Sequence, residues 1–172
     1  MLGSQLSLNP GGSSVKRALA LGVGAFAGEE HGRDPRIAFG VVDLDLEAQI
    51  RETWELWNAG IRDPDAMGQG LTDDFELSSA LTGRTFFGRH GLIDWMAEID
   101  ENFDAWNLRI DEIRHAGEAR FLVLGGVHLH GRGSGVEFDQ PIGWVVEFEK
   151  GLTRRLFNFA SHEEAIEAVE AG

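Results

Sequence analysis

Cysteine and tyrosine are both absent from the 172-residue chain. Without cysteine there is no disulfide framework, no thiolate zinc site and no thiol nucleophile. Without tyrosine no phenol is available as acid, base or oxyanion donor. Basic residues are scarce as well: 15 Lys and Arg stand against 29 Asp and Glu, a formal net charge of −14. So acidic a chain repels phosphate backbones and anionic bilayers, and neither nucleic acid nor a membrane is expected as partner. The apolar stretch from Ala18 to Gly24 is far too short to span a bilayer. No Gly-x-Ser-x-Gly elbow, phosphate loop or dinucleotide fingerprint occurs. What is present is a 42% hydrophobic composition with mean hydropathy −0.18, that of one globular domain able to bury a core.

The beginning of the chain differs from the rest. Residues 1–40 hold eight of the 23 glycines and a local charge of +1, so the acidity belongs entirely to residues 41–172. Gly11-Gly12-Ser13-Ser14 and the scattered glycines after it show no helical or strand period. A poorly structured extension over 1–41 is expected, ahead of a domain over 42–172. Lys16-Arg17, the apolar stretch from Ala18 and Ala25-Phe26-Ala27 resemble a secretory signal with its cleavage site. Glycines break that stretch and seventeen residues precede it, so a cytoplasmic protein is expected, with secretion as the alternative.

From Asp43 onward periodicity becomes legible. Leu46, Ile50, Trp54 and Trp57 recur at helical spacing, with Asp43 or Asp45 as cap and Gly60 as stop. Asp63-Pro64 opens a short second helix through Met67. Phe75 to Ser79 reads as a strand, and a third helix after Gly91 aligns Leu92, Trp95 or Met96, Ile99 and Phe103. The period then changes to two over 106–114, 120–130, 136–149 and 152–159. Short connections between them predict an antiparallel meander. Ser161 and Glu164 stand at capping-box spacing before a last helix. The tryptophan-bearing helices are the available cover for one face of the sheet.

Polar residues within apolar rows are the candidates for chemistry. Gln140 interrupts the row Val136, Phe138, Ile142, Trp144, Val146 and Phe148. Asn158 either projects inward near Gln140 or caps its strand. His128 and His130 share one strand face. They are a hydrogen-bonded pair, pocket acid/base groups, or two metal ligands lacking an identifiable third. Neither a metal nor a cofactor is expected. Five tryptophans, Trp54, Trp57, Trp95, Trp106 and Trp144, are either core or the walls of an apolar ligand cup. The pairs Glu29-Glu30 and Asp73-Asp74 and the run Glu98 to Asp104 read as solvated surface.

Four segments carry a family likeness: Arg51 to Gly60 (RETWELWNAG), Phe87-Gly88-Arg89-His90-Gly91-Leu92, Gly133-Ser134-Gly135-Val136, and Gly151 to Phe159 with the helix after it. Over residues 43–170 the chain resembles the SnoaL-like, polyketide cyclase-like branch of the nuclear transport factor two-like superfamily. The resemblance implies an α+β fold, a cone-shaped barrel of curved, mostly antiparallel sheet covered by N-terminal helices, and a homodimer formed through the outer sheet. Members include polyketide cyclases, ketosteroid isomerases, limonene-epoxide hydrolases and dehydratases. Several of their functional residues have no equivalent here. The isomerase tyrosine is missing, and its base Asp falls near Ser78 or Ser79. The epoxide hydrolase Arg and Asp fall near His128 and His130, and its last-strand Asp near Asn158.

The expectation drawn from this likeness is a cup for a small apolar molecule. Trp54, Trp95 and Trp144 would wall it, with Gln140, His130 and Asn158 as polar anchors. His128 would be the acid/base group of a cofactor-independent cyclisation, isomerisation or hydration. The alternative is a non-catalytic dimeric module whose cup is filled by its own side chains.

Overall fold

The period-two segments of the sequence assemble into one sheet. The computed structural model describes residues 35–172, with side chains from Leu46 onward. In chain order the elements are α1 (Pro35–Asn58), α2 (Pro64–Gly68), β1 (Leu71–Ser79), β2 (Arg84–Phe87), α3 (Gly88–Asn102), β3 (Phe103–His115), β4 (Arg120–Gly131), β5 (Glu137–Glu149), β6 (Leu152–Phe159) and α4 (His162–Glu170). The signal-like segment and the glycine-rich stretch before Pro35 lie outside the described residues. Among those described, no helix is long and apolar enough to cross a membrane.

The strand order is β2-β1-β6-β5-β4-β3, with β1 and β6 parallel and every other pair antiparallel. The meander expected from the short connections is β3 to β6. Its two ends do not pair, so the sheet is curved and unclosed. Phe86 from one edge strand and Trp106 from the other join a single buried cluster, which a curved sheet permits and a flat one of this width would not. Strand β2 escapes the sequence reading because only Phe86 of its four residues is buried. With one inward residue there is no alternation to detect.

Helices α1 and α3 cover the concave face. Leu46, Ile50, Trp54 and Trp57 from α1 meet Leu92, Trp95, Met96 and Ile99 from α3 within that cluster. Two boundaries differ from expectation. Helix α1 runs back to Pro35, so Asp43 and Asp45 lie inside it and not at its start; a proline in the first turn sacrifices no helical hydrogen bond. Helix α3 starts at Gly88, and Phe103 already has extended backbone at its end, where it opens β3.

The end of α1 also seals the β3 edge. Asn58 donates from Nδ2 to the Leu108 carbonyl and accepts from the Leu108 N–H, both at 2.7 Å. The Trp57 indole N–H donates to the Trp106 carbonyl at 3.2 Å. These side chains satisfy edge groups that a further strand would otherwise pair.

The convex face has its own smaller cluster, in which Leu122, Leu124 and Val145 lie under Ala165 of α4. Helix and sheet approach so closely that a Cβ on Gly143 would stand 2.3 Å from that of Ala165. Ser161 caps α4 by accepting from the Glu164 N–H at 3.1 Å, and Glu164 accepts from the Ala160 N–H at 3.2 Å. Ser161→Ala is expected to destabilise the protein by about 1 kcal/mol, the usual loss on removing such a cap. Urea denaturation would measure it; an unchanged midpoint would show that the cap contributes nothing.

Candidate functional site

Alternation along β4 decides which side chains reach the concave interior. Phe121, Val123, Val127 and Leu129 enter the main cluster under α1 and α3. His128 and His130 alternate with them and therefore face the convex side, away from the tryptophans. His128 Nδ1 lies 3.1 Å from Asp139 Oδ1, its register neighbour on β5. His130 Nδ1 lies 3.7 Å from Asp104 Oδ2, and the same carboxylate meets Arg132 at 3.3 Å. The expectation that these two imidazoles serve the cup is corrected by the pleat: a strand cannot turn Val127, Leu129 and His128 to one side. Among the described residues, no three His, Asp or Glu side chains gather where they could hold a metal ion.

The convex side of β3 is charged too. Arg109 donates to Asp111 at 2.7 Å and holds its carboxyl below the usual carboxylate range. Arg114 does the same to Glu112 at 2.7 Å. Both pairs are solvent-exposed and contribute little to stability.

The concave face holds two buried polar side chains. Ser79 is 2% exposed and Asn158 6%, and they are the only buried polar or charged residues among those described. Every other buried side chain there is apolar or an indole. Along β1, Phe75, Leu77 and Ser79 point inward. Along β6, Leu156 packs on the main cluster while Phe157 and Phe159 pack on the convex one, so Asn158 turns inward with Leu156.

Register makes these two residues neighbours. Ser78 pairs with Phe157 in the parallel β1–β6 ladder, which sets Ser79 beside Asn158 one step further on. Asn158 in turn pairs with Trp144, and Trp144 with Val123. One transverse row across the concave face therefore reads Ser79, Asn158, Trp144, Val123. Trp54 stands edge-on over Trp144, ring centroids 5.5 Å apart.

Within this patch three polar atoms are buried without a hydrogen bond among the described residues: Ser79 Oγ, Asn158 Oδ1 and Trp54 Nε1. Buried polar groups are normally satisfied, and an unsatisfied one carries a penalty of about 1–3 kcal/mol. Trp95 Nε1 and Trp106 Nε1 are unsatisfied too, in the aromatic half of the interior; this patch combines an indole donor with a hydroxyl and an amide oxygen.

Of the residues expected to form the cup, Trp54, Trp144 and Asn158 are brought together. Trp95 belongs to a neighbouring aromatic group, 5.4 Å from Trp57 and 5.8 Å from Trp106 between ring centroids. Gln140 has the inward parity of Trp144 but lies four residues along β5, roughly 13 Å away at strand rise. There it is half-buried, and its amide donates to the Ala160 carbonyl at 3.2 Å, so it is not adjacent to Asn158. Ser79 stands out in the sequence only as one of two positions, with Ser78, near which the resemblance places a base Asp. The signal that places it in the site is its parity with Phe75 and Leu77.

Trp54 also borders a cleft of about 170 Å³ between α1 and β3, lined further by Arg51, Glu55, Asn58, Leu108 and Ile110. Arg51 at its rim is paired with Glu47 at 2.8 Å. Trp54 thus borders both this surface cleft and the polar patch.

Residues 50–156 match the family model of the SnoaL-like domain. Among curated proteins none matches the sequence significantly. Solved structures share the fold at low identity. A proposed polyketide cyclase from Xanthomonas campestris is 20% identical, with TM-score 0.61, over 74% of this chain and 98% of its own. An NTF2-like protein of unknown function from Burkholderia pseudomallei is 20% identical, with TM-score 0.60, over 73% of this chain and 97% of its own. A proposed SnoaL-like polyketide cyclase from a Jannaschia species is 15% identical, with TM-score 0.60, over 83% and 99%.

Proposed function

Because the chain belongs to the SnoaL-like domain family, we propose that its concave face holds a small, largely apolar molecule against Trp54 and Trp144, with Ser79 and Asn158 as its polar anchors. The observation that carries this reading is the trio of buried, unsatisfied atoms, Ser79 Oγ, Asn158 Oδ1 and Trp54 Nε1, in an otherwise apolar wall. Ligand sites are commonly built this way, apolar with a few convergent polar atoms.

The proposal is binding and not acid/base catalysis. Cyclisation, isomerisation and hydration need a proton acceptor beside the substrate. No carboxylate or imidazole is buried among the described residues, and His128 lies across the sheet. Association of two copies through the convex face belongs to the same proposal. Asn107, Arg109, His128 and Asp139 are not in the cluster that α4 covers, and they leave that part of the face open.

A second reading has an observation of its own. Trp57, Trp95 and Trp106 pack on one another with centroids 5.4 to 6.2 Å apart, filling their half of the interior. A wholly filled cup would make the domain an association module. Asn158→Leu separates the two readings. Leucine is close in shape and removes the unsatisfied amide, so the unliganded protein is expected to gain about 1–3 kcal/mol. Saturation-transfer NMR with a fragment library should give hits on the native protein that Asn158→Leu loses. If no fragment binds, or the hits persist undiminished in the variant, the filled reading replaces the first.

A further inference from the structure

We infer that association of two copies through the convex face is proton-linked through His128 and His130, and tightens as the pH falls from 8 to 6. The inference rests on the association reading above and adds its regulation. Its basis is a match of register and charge on that face. Directly opposed residues of an antiparallel pair share a face, and the β4–β5 ladder sets His128 against Asp139 and His130 against Glu137. The arginines of the face are held by other acids: Arg109 by Asp111 at 2.7 Å, Arg114 by Glu112 at 2.7 Å and Arg132 by Asp104 at 3.3 Å. Asp139 and Glu137 are the carboxylates left over, and each has an imidazole as its cross-strand neighbour.

Every strand beside the two rings contributes to their surroundings. His128 Nδ1 lies 3.1 Å from Asp139 Oδ1, with Asn107 opposite it on β3 and Arg109 two residues further along. His130 Nδ1 lies 3.7 Å from Asp104 Oδ2, a carboxylate that Arg132 also holds. From α4, His162 meets the Gly125 carbonyl at 2.7 Å and acts through its charge on Asp111. With both strand imidazoles neutral, the three arginine pairs cancel and the face keeps an excess of two negative charges. Two such faces related by a two-fold axis repel, the more so as water leaves between them. Histidine is the side chain whose charge changes between pH 5 and 8, and a proton on each ring balances the two extra carboxylates. The dimer gathers twice the negative charge and therefore takes up those protons more readily than the monomer. By linkage, association then tightens as the pH falls.

Fluorescence-detected sedimentation of the full chain, diluted from micromolar to nanomolar at pH 8 and at pH 6, reads the dissociation constant of the dimer. That constant is expected to be about tenfold lower at pH 6, the equivalent of one pKa unit gained on association. His128→Gln combined with His130→Gln keeps polar side chains that never charge, and should abolish the difference. Asp139→Asn combined with Glu137→Gln removes the excess charge outright, and should associate at pH 8 as tightly as the native chain does at pH 6. A pH dependence that survives in the histidine variant overturns the inference, because the acidity of the whole chain would then govern association. A carboxylate variant no tighter than native at pH 8 overturns it as well. So does a native dimer with one constant at both pH values, or one that stays intact throughout the dilution. Each of these outcomes leaves the association reading standing. A chain that is monomeric at both pH values overturns that reading, and this inference with it.

Discussion

Gly125→Ala is expected to destabilise the protein by at least about 3 kcal/mol, the upper end of ordinary overpacking. Opposite Gly125, the β3–β4 ladder shifts register between Ile110 and Glu112, leaving Asp111 as the extra residue of a bulge. The bulge bends β3 and pushes the Arg109 carbonyl towards β4. A Cβ on Gly125 would stand 1.8 Å from that oxygen and 2.9 Å from its carbon. These are backbone atoms, so no rotamer change relieves the overlap. The Gly125 carbonyl is also met by His162 Nε2 at 2.7 Å, which ties the same residue to α4. Shifting β4 to make room would therefore disturb the bulge and the docking of α4 together. For a chain of this size such a loss lowers Tm by about 6–12 °C. Gly117→Ala is the control, since its Cβ would meet only the Arg120 Cβ at 3.4 Å, ordinary van der Waals distance. Thermal denaturation followed by circular dichroism reads both. A Gly125→Ala protein melting within about 2 °C of the native one would show that the bulge yields freely.

Bulges of this kind mark where sequence reasoning stops. The helices α1 and α3 are legible because four apolar residues in each recur at helical spacing, and β3 to β6 because long strand-like segments are separated by short glycine-bearing connections. Strand β2 is not, having one inward residue. Which face of the sheet each side chain takes is legible only where the row is unbroken. On β5 the row containing Trp144 fixes its own direction. On β4 the run from Phe121 to Val127 is buried on both sides, since α4 covers one face and α1 and α3 the other. No alternation of polarity remains in that run to show which side His128 takes; the structure supplies it through pairing with Gln140 and Asp139 on β5.

The site divides in the same way. Trp54, Trp144 and Asn158 are legible as candidates by residue type and row, with the direction of Asn158 left open between the interior and a strand cap. Their adjacency is not, because it depends on the parallel β1–β6 pairing, which no turn in the sequence announces. That pairing also brings Ser79 beside Asn158. Where the resemblance implies a base and a last-strand Asp, this chain has a hydroxyl and a carboxamide. Both substitutions remove a proton acceptor while keeping hydrogen-bonding capacity.

The aromatic half of the interior should carry the largest share of stability of any single site. Trp106 is 2% exposed at the β3 edge and lies edge-on to Trp57, Trp95 and Phe103, with centroids 6.2, 5.8 and 5.8 Å away. Its own carbonyl accepts from the Trp57 indole and from Arg62. It thus joins α1, α3 and the edge strand at one point. Trp106→Ala is expected to cost about 3–5 kcal/mol, from lost burial and from a cavity that three rigid rings cannot collapse to fill. Against a typical total of about 5–15 kcal/mol, that leaves a protein close to unfolding at moderate temperature. Trp106→Phe should recover most of the loss, because it retains an edge-to-face ring and gives up an indole N–H that has no partner among the described residues. Urea unfolding of the pair gives both values. Equal losses for alanine and phenylalanine would mean that the indole nitrogen, and not the packing of the ring, holds this junction together.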